Sequence, residues 1–110
     1  MPKGIIHAAC NGFGDQSGSA YFFNSEHYVR LEWKKDHASD GYPQNLILWR
    51  LPEPFRSGVD AAIEGRERYV GNIYFFKNGS YVRYNWAHDA VDVGPSSVST
   101  WGVDGRLLEV

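Results

Sequence analysis

Cysteine is almost absent from this sequence. Cys10 stands alone among 110 residues, so no intrachain disulfide can form and packing has to hold the fold. No apolar run approaches the length of a membrane span, and residues 1–7 hold no stretch long enough for a secretory signal, so a cytoplasmic location is expected. Basic charge is in short supply too. With 11 Lys and Arg against 13 Asp and Glu, the formal net charge of -2 gives no positive field for a phosphate backbone, and nucleic acid is not an expected partner. Motifs that carry chemistry are also missing. His7, His27, His37 and His88 are scattered, no Cys or His pair has zinc-site spacing, and there is no nucleophile elbow, phosphate loop or pair of catalytic carboxylates. Asp36, Asp40, Asp89 and Asp92 fall in polar stretches where carboxylates are ordinarily solvated. The expectation is a protein that is not an enzyme.

Aromatics, by contrast, make up 15% of the residues and hydrophobics 43%, and 12 glycines supply turns, which favours an all-β domain over a helical bundle. The aromatics recur in a fixed order. Ile6-His7-Ala8-Ala9-Cys10, Ala20-Tyr21-Phe22-Phe23 and Tyr28-Val29-Arg30-Leu31-Glu32-Trp33 return as Val59-Asp60-Ala61-Ala62-Ile63, Ile73-Tyr74-Phe75-Phe76 and Tyr81-Val82-Arg83-Tyr84-Asn85-Trp86. Tyr21 to Tyr74, Arg30 to Arg83 and Trp33 to Trp86 are each 53 apart, whereas Pro43 to Pro95 and Trp49 to Trp101 are 52 apart, so the second copy has lost one residue. A period near 50 in which each copy reads as several short strands is the mark of a propeller blade. The chain is too short for two independent cores. It is expected to be one domain over 1–110, with repeat 1 at about 4–52, repeat 2 at about 57–102 and a short tail at 103–110.

Within the first copy, residues 5–10 read as an inner strand whose small Ala8 and Ala9 suit a crowded axis, and Cys10 as a buried thiol at an apolar strand position. Residues 11–19 read as a glycine-rich loop and a candidate binding loop, and residues 20–24 and 28–33 as a hairpin. A polar excursion over 34–40 and an outer strand or short helical turn over 45–49 complete the copy. The two prolines and glycine of residues 51–58 read as a linker. In the second copy the first loop, residues 65–68, is charged instead of glycine-rich. Asn78-Gly79 is the strongest hairpin signal, because both central residues of a type I′ turn need positive φ. Residues 87–93 read as another polar excursion, and 98–101 as the outer element.

The Asp60-Ala61-Ala62 strand, the hairpin from Tyr74-Phe75-Phe76-Lys77 through Gly79 to Tyr81 and Arg83, and Gly41-Tyr42-Pro43 closely resemble hemopexin-like repeats. The likeness covers nearly the whole chain and is nearest in flavour to cysteine-poor plant seed albumins and bacterial relatives. It implies a four-bladed β-propeller whose inner strands ring a channel, where main-chain groups hold cations such as calcium or sodium and an anion such as chloride. Carried over residue by residue, those groups belong to Asp60 and Ala62 and, in the first copy, His7 and Ala9, with His7 departing from the usual acidic residue. The resemblance also implies binding rather than catalysis.

Two repeats make two four-stranded blades, and half a propeller exposes sheet faces, so a homodimer about a two-fold axis is the expected closure. For ligands, the candidates are Asn11, Gly12 and Asp15 in the first loop together with Trp33 and Trp86. Packing between blades is the competing role for Trp33, Trp86, Trp49 and Trp101, since they recur at equivalent places. The expected function is therefore binding of a small polar ligand, a polyamine or glycan, with a carbohydrate-binding lectin of defence role as one alternative and a structural or storage protein with purely stabilising ions as the other.

Overall fold

The computed structural model describes residues 6–24, 26–35 and 37–101. The expected tail and the first residues of repeat 1 lie outside the described residues. The chain forms two antiparallel sheets, each read from its inner strand outward. In the first, β1 (Ala8–Asn11) pairs with β2 (Ser19–Asn24) and β2 with β3 (His27–Glu32); β3 then pairs with two short pieces, β4 (His37–Ala38) and β5 (Gln44–Asn45), which share the fourth position. In the second, β6 (Ala61–Glu64), β7 (Asn72–Lys77), β8 (Ser80–Asn85) and β9 (Ala90–Ser97) follow in order. A short 3-10 turn closes each sheet, Leu46–Trp49 in one and Val98–Trp101 in the other.

The register repeats with the sequence. Cys10 faces Tyr21 and Tyr21 faces Arg30 in the first blade, as Ile63 faces Tyr74 and Tyr74 faces Arg83 in the second. Asn78 and Gly79 have φ of 51° and 78° between β7 and β8, the two left-handed residues that a type I′ turn needs. Tyr42-Pro43 and Gly94-Pro95, at matching places in the two repeats, are both cis.

One expectation requires correction, and two readings gain detail. The polar excursion at 87–93 is largely strand: β9 runs eight residues, because Asp92 is drawn onto β8 by Arg83 and Asn85, at 2.8 Å and 3.1 Å. The proline-rich linker is a wedge in the core, with Leu51 and Phe55 1% and 0% exposed, since prolines restrict the backbone without preventing burial of their neighbours. The two first loops, so unlike in sequence, have one shape. A 3-10 turn sits at Gly14–Gln16 in one and Glu67–Tyr69 in the other, entered through left-handed Gly14 (φ 63°) and Glu67 (φ 57°). Gly12 and Gly65 hold that turn close, because a Cβ on them would lie 2.1 Å from the Gln16 carbonyl oxygen and 2.2 Å from that of Tyr69.

The main core lies between the blades. Tyr21, Phe23, Tyr28 and Trp49 of the first pack against Phe75, Val82, Tyr84 and Ile73 of the second, with Trp86 at the edge. Trp49 meets Phe75, Tyr84 and Trp86 at ring separations of 5.6, 5.0 and 5.4 Å, within the range of favourable edge-to-face and tilted pairs. Each such fully buried side chain contributes roughly 1.5–3 kcal/mol. Cys10 lies in this core, and burial, then the nearby Glu64 carboxylate, pushes its thiol far above the ordinary range, so it is a packed group and not a nucleophile. A second, smaller cluster of Tyr74, Tyr81 and Val98 lies on the other face of the second blade.

Candidate functional site

β1 and β6 are the innermost strands and lie side by side, each at the end of its sheet. Gly12 donates its N–H to the Ser19 carbonyl and Gly65 to that of Asn72, both at 2.9 Å, so by antiparallel alternation the main-chain groups of Ala9 and Ala62 point away from the sheets along these free edges. The Asn11 N–H, on the same edge, donates to the Glu64 carboxylate and ties the two inner strands together. His7 and Asp60 precede the strands in matching ways, their N–H groups reaching the Phe23 and Phe76 carbonyls at 2.9 Å and 2.8 Å. The Asp60 carboxylate accepts from the Asn78 N–H at 3.0 Å, so it also braces the hairpin tip. Among the described residues no three His, Cys, Asp or Glu side chains gather as a metal cluster. The donors that this edge offers are main-chain oxygens, which fit a hard cation and not zinc.

The candidate ligand residues divide between two grooves. Asn11, Gly12 and Trp86 come together with Phe13, Glu64, Arg66 and Asn72 around a groove of about 230 Å³ between the first loops of the two blades. Phe13 is 45% exposed there, and Asn72 Oδ1 is buried with no hydrogen-bond partner, although Asn72 Nδ2 donates to the Tyr69 carbonyl at 3.0 Å. Asp15 and Trp33 line a different groove, with Gln16, Arg30, Glu32 and Lys34. Phe13, Glu64, Arg66 and Asn72 were not singled out from sequence; the offset of 53 that maps residues 11–13 onto 64–66 was the available signal.

Other polar groups hold the blades together. Arg30 reaches Ser39, Gln16 and Glu32 at 3.2, 3.3 and 3.3 Å. Its counterpart Arg83 bonds Asp92, and that bond holds the Asp92 carboxyl below its ordinary range, with Asn85 assisting. Tyr84 donates to the Asp89 carboxylate. Burial, followed by that bond, pushes the Tyr84 hydroxyl up, and burial raises Tyr28 to about 12. No helix among the described residues is long and apolar enough to cross a membrane.

No curated protein matches the chain. Solved structures do. The hemopexin fold protein CP4 from cow pea is 22% identical with a TM-score of 0.74, over 96% of this chain and 48% of that one. A plant albumin from Cicer arietinum showing hemagglutination is 20% identical with a TM-score of 0.70, over 86% and 43%. A plant lectin with two metal binding sites, also from Cicer arietinum, is 20% identical with a TM-score of 0.69, over the same shares of 86% and 43%. The chain thus spans less than half the length of each. The family model described as Hemopexin matches residues 59–104. With the register of that half repeated in the other, the chain carries a hemopexin repeat at 59–104 and folds as a pair of hemopexin-type blades.

Proposed function

We propose that the chain is a non-enzymatic binding protein that takes a glycan residue in the groove between the first loops of its two blades. The observation that carries this reading is the groove's chemistry: exposed Phe13 and half-buried Trp86 offer ring faces on which a sugar ring can stack, beside the polar side chains of Asn11 and Asn72. Glu64 and Arg66 add an acceptor and a donor on the same wall. Similar blades in a hemagglutinating albumin and a lectin support the same direction. The groups with shifted protonation serve packing or ion pairs, which supports binding over catalysis.

In this reading the chain is half of a four-bladed ring, completed as a homodimer, and the free edges at Ala9 and Ala62 line its axis. Calcium or sodium held by main-chain oxygens would relieve the repulsion among them, with chloride as the companion anion. Asp60 adds negative charge nearby and His7 adds none, so the binding is weak and poorly selective.

A glycan array followed by calorimetric titration tests the groove. Phe13→Ala and Arg66→Ala, both at exposed places, abolish or weaken sugar binding without altering the fold. Binding unchanged in both variants contradicts the groove, and a polyamine bound in place of any sugar changes the ligand class. A chain that binds neither is a structural or storage protein.

A further inference from the structure

The two blades present the same face to different surroundings. On the first, Cys10, Tyr21, Phe23 and Trp49 are covered by the second blade, with Cys10 and Trp49 each 4% exposed. On the second, the equivalents of Tyr21 and Phe23 are Tyr74, buried in its own small cluster, and half-buried Phe76, but Ile63 and Trp101 are 52% and 44% exposed and border an open cavity of about 560 Å³. The opposite faces differ in the reverse sense. Phe75 and Val82 are fully buried against the first blade, whereas their equivalents Phe22 and Val29 are half-buried, and Trp33, equivalent to Trp86, is 54% exposed. Each chain therefore carries one partly open face of each kind.

Resting on the ring reading above, we propose that the open faces close on each other in a two-fold homodimer, Trp101 of each copy packing on the partner's Trp33 as Trp49 packs on Trp86 within one chain. The partner is a second copy because the open first-blade face keeps the residue classes of the face already docked: Phe22 for Phe75, Val29 for Val82, Leu31 for Tyr84 and Trp33 for Trp86. Within the chain Trp49 lies 5.4 Å from Trp86 and Tyr21 5.8 Å, so Trp101 and Tyr74 meet the partner's Trp33.

The inner strands repeat the pattern. The Asn11 N–H donates to Glu64 across the internal joint. The Glu64 N–H occupies the same place on its own free edge, since Gly65 N–H bonds Asn72 as Gly12 N–H bonds Ser19. The partner's Asn11 side-chain oxygen is the acceptor that this N–H then meets. Two such joints related by one axis close a ring of four blades and leave no open face, whereas a single joint would leave two.

Sedimentation velocity on Trp101→Arg, Trp33→Asp and their mixture tests the pairing. The unaltered chain is a dimer at micromolar concentration, and each variant alone dissociates, its dissociation constant raised about thirtyfold or more, as for a buried interface anchor. The equimolar mixture dimerises again, because one of its joints sets arginine against aspartate and the other keeps both tryptophans. A monomeric unaltered chain, a dimer that neither variant disturbs, or a mixture that stays monomeric overturns the inference. Should the charged variants fail to fold, Trp101→Phe and Trp33→Phe keep a ring at each place and weaken the dimer several-fold; an unchanged dissociation constant in both overturns it equally. A monomer that still binds sugar leaves the binding reading standing, and a dimer that behaves as stated but binds no ligand overturns that reading alone.

Discussion

Trp49 and Trp101 occupy the same place in two blades of the same register, yet one is 4% exposed and the other 44%. The pair shows that burial in a repeat fold is set by the neighbour and not by the residue. A blade cannot cover its own two faces; it depends on the next blade for one of them. The first blade has that neighbour within the chain; on the second, Tyr74, Tyr81 and Val98 are covered by their own blade, while Ile63 and Trp101 remain open.

The largest expected effect separates these two tryptophans. Trp49→Ala should cost about 3–5 kcal/mol of stability, as large aromatic truncations in a core do. Trp101→Ala, measured by denaturant unfolding at dilution where any dimer has dissociated, should cost well under half of that. Equal losses would mean that the second face is already packed in the isolated chain.

The first loops sharpen the comparison in the opposite sense, since here the blades should behave alike. Gly12→Ala and Gly65→Ala each place a methyl against a carbonyl at a distance that real atoms do not allow. Each should lower stability by about 1–3 kcal/mol, as overpacking does, despite the different residues around them. Thermal melts showing one tolerated and the other not would break the equivalence.

The covered joint should also be the alkali-sensitive one. Tyr28 and Tyr84 both lie in it, with hydroxyls raised by burial above the ordinary value of 10.0, Tyr28 to about 12. A raised value means that the neutral ring's contribution is complete below pH 10.0 and is lost as pH rises through the folded value. Stability measured by denaturant titration should therefore fall from about pH 10 towards 12, and less steeply in Tyr28→Phe. A flat profile over that window would contradict the burial of these hydroxyls.

The smallest effect is a gain. Glu67 is left-handed where the first blade has Gly14. Glu67→Gly should stabilise by up to about 1 kcal/mol by relieving that strain, less the flexibility that glycine brings to the unfolded chain. Calorimetry showing a loss would mean that the Glu67 side chain makes a contact worth more than the strain.

Much of this was legible because the sequence states its pattern twice. The hairpins, their register and the packing role of Trp49 follow from recurrence and alternation alone. Other features depend on partners distant in sequence. Asp92 looks like a solvated carboxylate until β8 places Arg83 and Asn85 beside it. Leu51 and Phe55 sit among prolines that read as a linker, and only the joint between blades shows what they fill. The groove residues Glu64, Arg66 and Asn72 carry no motif; they become a group when two loops from separate repeats are set side by side.

The shared shape of the first loops has a consequence for how such a protein can change. A glycine pressed against a carbonyl four residues on, followed by one left-handed residue, fixes the path of the backbone in both blades while the side chains between differ almost completely. Conformation is inherited there and chemistry is not. Residues 66–70 and 13–17 are thus interchangeable cassettes in a common frame, so exchanging one for the other should rewrite the rim of the groove and leave the strands beneath in register. Duplication of such a blade creates a second rim free to diverge at little cost to the fold.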